Sequence, residues 1–238
     1  MRTEIMGVCF DNFSVEESVS KAMSALKEGK KFFIVTPNPE IVNVAMNDEK
    51  YKNILNSADV VTPDGIGIVY ASKMLGGNIK KRAPGFDIVK GILTELAKIG
   101  GSVYLFGGKP GVADMAAENI SSDYPGIKIA GTDNGYFNDD TEIIGRINNA
   151  KPDFLLVCLG APKQEIWISD NFENLNAGIL IGAGGSIDVL SGQTKRAPKI
   201  FIKLNCEWLY RLLKEPKRIG RMAKIPVFLL KVLFRKEK

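Results

Sequence analysis

Apolar runs closed by Gly, Pro or Thr recur along the first 185 residues: KFFIVT (31–36), DVVTP (59–63), SVYLFGG (102–108), IKIAG (127–131), DFLLVCLG (153–160) and GILIGAGG (178–185). Short continuous apolar runs of this kind are how strands buried on both faces of a parallel sheet read. Amphipathic stretches lie between them. SVEESVSKAMSALKEGK opens with a capping box, Ser14 with Glu17, and stops at Gly29, while FDIVKGILTELAKIG stops at Gly100. The alternation predicts an α/β fold: a Rossmann-like, mostly parallel sheet with helices on both faces, occupying residues 1–194.

The pattern changes after Thr194. Phe201, Leu204, Trp208 and Leu212 recur at i, i+3, i+7 and i+11, which predicts one apolar helical stripe. Basic residues follow, and the end, IPVFLLKVLFRK (225–236), is too short to span a bilayer but apolar enough to lie in its interface. Residues 195–238 are therefore expected to form a helical, membrane-binding appendage.

Charge sharpens that division. The chain carries 32 Lys+Arg and 27 Asp+Glu. Of these, 14 basic and 3 acidic residues fall in 195–238, a local net of +11, which leaves 18 basic and 24 acidic residues, a net of −6, in the body. An acidic body with a basic tail points to a polyanionic partner. An anionic membrane surface suits the tail better than nucleic acid, because it matches no nucleic-acid-binding pattern and its apolar content has no use on a phosphate backbone.

Composition removes several chemistries. The chain has no histidine, so Ser-His-Asp and Cys-His catalysis, a His base and most catalytic zinc sites are excluded. Cys9, Cys158 and Cys206 are odd in number and far apart, which argues against a disulfide framework and fits a reducing cytoplasm. The N-terminus lacks the apolar core of a secretory signal. Proton transfer, if it occurs here, falls to a carboxylate before Lys, Tyr or Cys.

In open parallel sheets ligands bind outside the carboxyl ends of the strands. Those ends are Thr36-Pro37-Asn38, Pro63-Asp64, Gly107-Gly108, Gly160-Ala161-Pro162 and Gly182 to Gly185. Glycines such as Gly108, Gly184 and Gly185 let main chain approach a ligand, although neither GxGxxG nor the Walker A spacing is present. Asp64 has two readings: turn and helix-cap chemistry in Pro63-Asp64-Gly65, or a catalytic carboxylate at the end of a buried strand. Arg82, Asp87, Lys163, Gln164 and Asp188 flank the same exits. No two aspartates form a DxD pair; Asp140-Thr141-Glu142 comes nearest, in a stretch expected to be a surface helix.

Nine motifs then occur in order: TPNPE (36–40), PDGIGIV (63–69), KRAPGFD (81–87), LFGGKPGVA (105–113), GYF (135–137), LGAPKQEIW (159–167), GAGGSIDVLSG (182–192), RAP (196–198) and EWLYRL (207–212). Together they resemble the WecG/TagA/CpsF glycosyltransferases of bacterial surface-polymer synthesis, over nearly the whole chain. One departure is NCEWLYRL, where relatives commonly carry Gly-Leu before the Glu, a difference of packing more than chemistry.

The resemblance implies an inverting transfer of N-acetylmannosamine from its UDP donor to GlcNAc-diphosphoundecaprenol, a β-1,4 linkage used in wall teichoic acid. Related members use other UDP-sugars, including the uronate of N-acetylmannosamine. It implies Asp64 as general base, Arg82 on the leaving diphosphate, and Thr36 and Asn38 on sugar hydroxyls. Gln164, Tyr136 and Asp188 would hold donor or nucleotide, with Lys163, Gly108, Gly184 and Gly185 around it. Arg211, Arg218 and Arg221 of the tail would swing over the site on docking to lipid. No cofactor and no metal are expected, and self-association as a dimer or trimer is expected away from membrane. A membrane-tethered nucleotide-binding module without catalysis is the competing class.

Overall fold

The computed structural model describes residues 2–214 and 224–235; for Arg211, Lys224, Ile225 and Arg235 it describes main chain only. An antiparallel hairpin, β1 (Thr3–Ile5) and β2 (Val8–Phe10), opens the chain. Then follow α1 (Val15–Lys27), β3 (Phe32–Val35), α2 (Pro39–Ala45), α3 (Glu49–Ser57), β4 (Val60–Val61), α4 (Ile66–Met74) and α5 (Gly85–Ile99). The second half supplies β5 (Ser102–Gly107), α6 (Val112–Asp123), β6 (Lys128–Asp133), α7 (Thr141–Ala150), β7 (Phe154–Cys158), α8 (Lys163–Asn171), β8 (Ile179–Gly182) and α9 (Ser186–Leu190). Three further described helices complete it: α10 (Lys199–Lys203), α11 (Glu207–Lys214) and α12 (Lys224–Arg235).

All six apolar runs become strands, and they join one parallel sheet in the order β4-β3-β8-β7-β5-β6. Side chains alternate between two cores, as the strand repeat of two requires. Phe33, Val35, Tyr104, Phe106, Leu155, Val157 and Leu180 face the hairpin, α2, α3, α8 and α12. Ile34, Val103, Leu105, Phe154, Leu156 and Ile181 face α1, α5, α6 and α9. The helix ends obey the sequence signals. Ser14 accepts from Glu17 N at 3.1 Å while the Glu17 carboxylate accepts from Ser14 N at 2.8 Å, and α5 ends on Gly100 in the left-handed region.

The tail departs from expectation in two places. The stripe through Phe201, Leu204, Trp208 and Leu212 is not one helix: the chain breaks at Asn205, whose φ is 58°, and Cys206 N donates to Phe201 O at 2.8 Å. Leu204 consequently points to solvent. Phe228, expected to meet lipid, is instead fully buried with Val232 in the core formed with α2 and α4, and Lys231 Nζ donates to Asn43 Oδ1 at 2.8 Å. That face of α12 is satisfied by the body before any membrane is present.

Candidate active site

Because every strand of the large sheet points the same way, its carboxyl ends line one edge. The β7 exit leads through α8 to β8, and the β5 exit leads through α6 to β6 on the other side. Those connections diverge, which makes the boundary between β7 and β5 the switch point, outside which such sheets are expected to bind ligands in a crevice.

At one end of the edge stands Asp64. Strand β4 pairs for only two residues, after which Thr62 N donates to Val35 O at 2.9 Å and Asp64 N donates to Pro37 O at 3.1 Å. These bonds tie the β4 exit to the β3 exit. Ala83 N then bonds Pro63 O at 2.9 Å, bringing in the start of α5, where Gly85 N lies 3.5 Å from Asp64 Oδ2. A Cβ at Gly85 would sit 2.8 Å from Thr36 Oγ1, so glycine is what lets α5 begin against β3. Thr36, Asp64 and residues 82–87 are thereby assembled from segments up to some fifty residues apart.

Thr36 is buried beside Gly85. Asn38 caps α2, its Oδ1 accepting from Ile41 N at 3.0 Å. Arg82 faces the tail: it lies 3.3 Å from Glu207 Oε2 and donates to Ile202 O at 3.0 Å. Its neighbour is a second arginine that the sequence marks only through the RAP motif. Arg196 pairs with Asp87 at 2.7 Å, lies 3.9 Å from Glu207, and stacks 4.8 Å from the Phe86 ring centroid. Burial opposes its charge, but the Asp87 bond and the charges of Asp87, Glu207 and Asp64 outweigh burial and hold its pKa above the ordinary value. Arg82, Asp87, Arg196 and Glu207 thus form a charge network beside Asp64, fastening α10 and α11 to the body.

The other end of the edge is built by glycine and aromatic residues. At Gly107, with φ 134°, a Cβ would lie 2.4 Å from Cys158 O, so the β5 and β7 exits touch only because no side chain is present. Gly135 N donates to Gly108 O at 2.9 Å, which brings the β6 exit alongside. A hollow of about 490 Å³ opens here, lined by Gly135, Tyr136, Phe137, Asn138 and Lys163. Tyr136 is 69% exposed, and Lys163 Nζ sits 4.2 Å from the Phe137 ring centroid. Asp188 lies on α9, the short helix that follows Gly184 and Gly185.

Gln164 does not face the crevice with its amide. It is 3% exposed; its Oε1 accepts from Gly160 N at 3.1 Å and Gly184 N at 2.9 Å, while Nε2 donates to Glu165 at 2.7 Å. The amide oxygen is thus engaged by two main-chain N–H groups and the amide nitrogen by Glu165, so Gln164 ties two loops of the edge together. Cys158, next to this tie, has its thiol pushed up to about 12 by burial and is no nucleophile at neutral pH. Asp140 accepts from Trp167 Nε1 at 2.5 Å beside the start of α7. A second hollow, of about 510 Å³, lies at the opposite edge of the sheet where β3 and β4 begin, away from these groups.

The family model for glycosyl transferases of the WecG/TagA/CpsF family matches residues 3–238. The chain belongs to this family. A relative named N-acetylglucosaminyldiphosphoundecaprenol N-acetyl-beta-D-mannosaminyltransferase, from Bacillus spizizenii (strain ATCC 23059 / NRRL B-14472 / W23), is 40% identical over 208 residues, covering 87% of this chain and 81% of the relative. Relatives of the same name from Staphylococcus aureus strains MW2 and NCTC 8325 are 38% identical over 240 residues, covering 100% of this chain and 94% of theirs. As a WecG/TagA/CpsF glycosyltransferase, the protein has two polar clusters on one edge of its sheet. Asp64, Thr36, Asn38 and Arg82 stand at the β4–β3 end; Gly108, Tyr136, Lys163, Gly184, Gly185 and Asp188 stand from β8 to β6. Arg218 and Arg221, and the side chain of Arg211, lie outside the described residues. Arg196, Glu207, Glu165 and Tyr51 were not singled out by sequence reading, since each acquires its partner through folding.

Among the described residues no helix is long and apolar enough to cross a membrane. No group of three or more Cys, Asp or Glu side chains is disposed to hold a metal ion among them either.

Proposed function

We propose that this glycosyltransferase moves N-acetylmannosamine from its UDP donor to GlcNAc-diphosphoundecaprenol with inversion, forming the β-1,4-linked precursor of the wall teichoic acid linkage unit. The names of the relatives support the donor sugar and the acceptor. One observation carries the mechanism: in a chain without histidine, a carboxylate stands at the strand exit, tied through main chain to the β3 exit and the start of α5.

Asp64 takes the proton of the acceptor hydroxyl as that oxygen attacks the anomeric carbon, and UDP leaves from the opposite face. A positioned base of this kind contributes roughly 100- to 10,000-fold. Arg82 and Arg196 supply positive charge beside the reacting centre, where negative charge builds on the departing diphosphate. Arg82 reaches the diphosphate by exchanging its contacts with Glu207 and Ile202 O for phosphate oxygen. From β4 to β5 the edge spans four strand spacings, roughly 19 Å. A nucleotide-sugar extended along it has its sugar near Asp64 and its uridine over the hollow beside Tyr136 and Lys163. The acceptor arrives from a membrane, at whose inner face the tail holds the enzyme.

The test is a UDP-release assay with a GlcNAc-diphospholipid analogue and a panel of UDP-sugars, with and without EDTA. Asp64→Asn is expected to lower kcat by about 100-fold or more while UDP affinity stays within about threefold. Unchanged turnover in that variant would remove the base from the mechanism. A different preferred donor would keep the chemistry and change the sugar; a strict metal requirement would overturn the metal-free account.

A further inference from the structure

Tyr51 and Glu165 are buried polar side chains that the reaction above leaves without a task. Both are 1% exposed. Tyr51 Oη donates to Glu165 Oε2 at 3.0 Å, and Gln164 Nε2 donates to Glu165 Oε1 at 2.7 Å. Beyond Gln164 the chain of bonds reaches the ligand edge, since Oε1 accepts from both Gly160 N and Gly184 N. Two main-chain N–H groups aimed at one atom require an oxygen there, which leaves the amide a single orientation. The opposite end of that amide must then meet an acceptor, and Glu165 is the acceptor. A leucine or alanine at 165 would leave a buried N–H unanswered and free the amide to turn.

We propose that Glu165, held by Tyr51, is a positioning residue of the donor site: it fixes Gln164 so that one carbonyl oxygen clamps the β7 exit at Gly160 to the β8 exit at Gly184, and so sets the crevice that receives the donor diphosphate. The clamp acts just beyond the point where the β7–β8 ladder ends, after Ala183 N donates to Val157 O at 3.1 Å. Gly160 has φ 79° and open space around it, and Gly182 packs so closely on Gln164 that a Cβ there would lie 2.9 Å from Cγ. The inference rests on the crevice being a nucleotide-sugar site.

Exchanging the two side chains tests it. Gln164→Glu alone sets two carboxyl groups 2.7 Å apart. At pH 8, where a shared proton is hardest to retain, it should weaken UDP binding at least about tenfold, the scale of one lost hydrogen bond to a charged group. In the double variant Gln164→Glu/Glu165→Gln every bond has a counterpart: the carboxylate at position 164 accepts from both loops and from the amide at 165, whose oxygen accepts from Tyr51. UDP affinity by calorimetry should return to within about threefold of the wild-type value, with donor KM following it and kcat moving less than KM.

A double variant that fails to fold, or that folds and binds UDP no better than Gln164→Glu, overturns the proposal. So does Gln164→Glu with unchanged UDP affinity and only a lower Tm, which is what a purely structural pair would give. Should Gln164→Glu itself fail to fold, the double variant is judged against wild type alone. No UDP binding by the wild-type protein would instead remove the nucleotide-sugar reading of the crevice.

Discussion

At the residue scale, Glu165 shows how one buried acid ties stability to pH. Burial raises its pKa, and the bonds from Gln164 and Tyr51 oppose that rise without cancelling it. The folded protein therefore keeps a proton that the unfolded chain has already released, over a window that begins in the ordinary glutamate range near about 4.3. Within that window the unfolded state binds fewer protons, so the stability contributed by this group is present at low pH and lost as pH rises through the folded pKa. Glu165→Gln cannot titrate. Its Tm relative to wild type should shift in the variant's favour between roughly pH 4 and pH 8, read by thermal melts across that range. A difference that stays flat across it would mean the carboxyl titrates as in the unfolded chain. The place of Asp64 at a strand exit was readable in the sequence because a carboxylate stood where a core-like run stopped, beside Pro and Gly. Glu165 and Arg196 were not: their partners Tyr51 and Asp87 lie 114 and 109 residues away, and no local pattern encodes such a pairing.

At the element scale, the sheet was legible and the tail was not, for one reason. A run such as Phe154–Cys158 is apolar on both faces because helices cover both faces, so its pattern names its environment. The stretch PVFLLKVLF is apolar nearly all round too, and periodicity alone cannot say which side meets protein and which meets lipid. Folding decides it: Phe228 and Val232, one turn apart, enter the core with α2 and α4, while Val227, Leu230, Leu233 and Phe234 remain exposed. The hairpin of β1 and β2 also escaped sequence reading, since three-residue strands give no alternation to recognise. Phe228→Ala should destabilise the protein by about 3–5 kcal/mol, the usual range for emptying a buried phenylalanine site. Denaturant unfolding would show this as a lower midpoint at unchanged slope. A loss within about 0.5 kcal/mol, the level of a surface substitution, would mean that α12 does not hold the body. This packing also changes what truncation can teach: cutting before Lys195 strips Phe228 and Val232, among other buried side chains, from the body, so lost activity in that shortened chain does not isolate lipid docking.

At the scale of the whole molecule, an acidic body and a tail of net +11 meet a reaction whose proposed acceptor is lipid-linked. Ile200, Trp208, Leu213, Leu230 and Phe234 on α10, α11 and α12, with Leu204 just after α10, expose apolar surface among the basic side chains Lys199, Lys203 and Lys214. A basic residue near an anionic leaflet contributes about 1 kcal/mol, and burying one such apolar side chain adds about 1.5–3 kcal/mol. The two contributions differ in how they fail, which makes them separable in the intact chain. Raising salt screens the first and leaves the second. Vesicles containing anionic phospholipid should therefore sediment the protein at low salt, and zwitterionic vesicles should do so far less. Leu204→Glu and Phe234→Glu each place a charge where apolar surface would enter the interface; each should lower partitioning about tenfold or more while Tm stays near the wild-type value. Turnover should fall with partitioning when the acceptor sits in vesicles and stay level when the acceptor is a short, water-soluble analogue, because Arg82 and Arg196 beside Asp64 are untouched by either change. Equal sedimentation with neutral vesicles, or variants that bind as wild type does, would detach these helices from the membrane and leave the exposed apolar residues as a surface for a second copy of the chain.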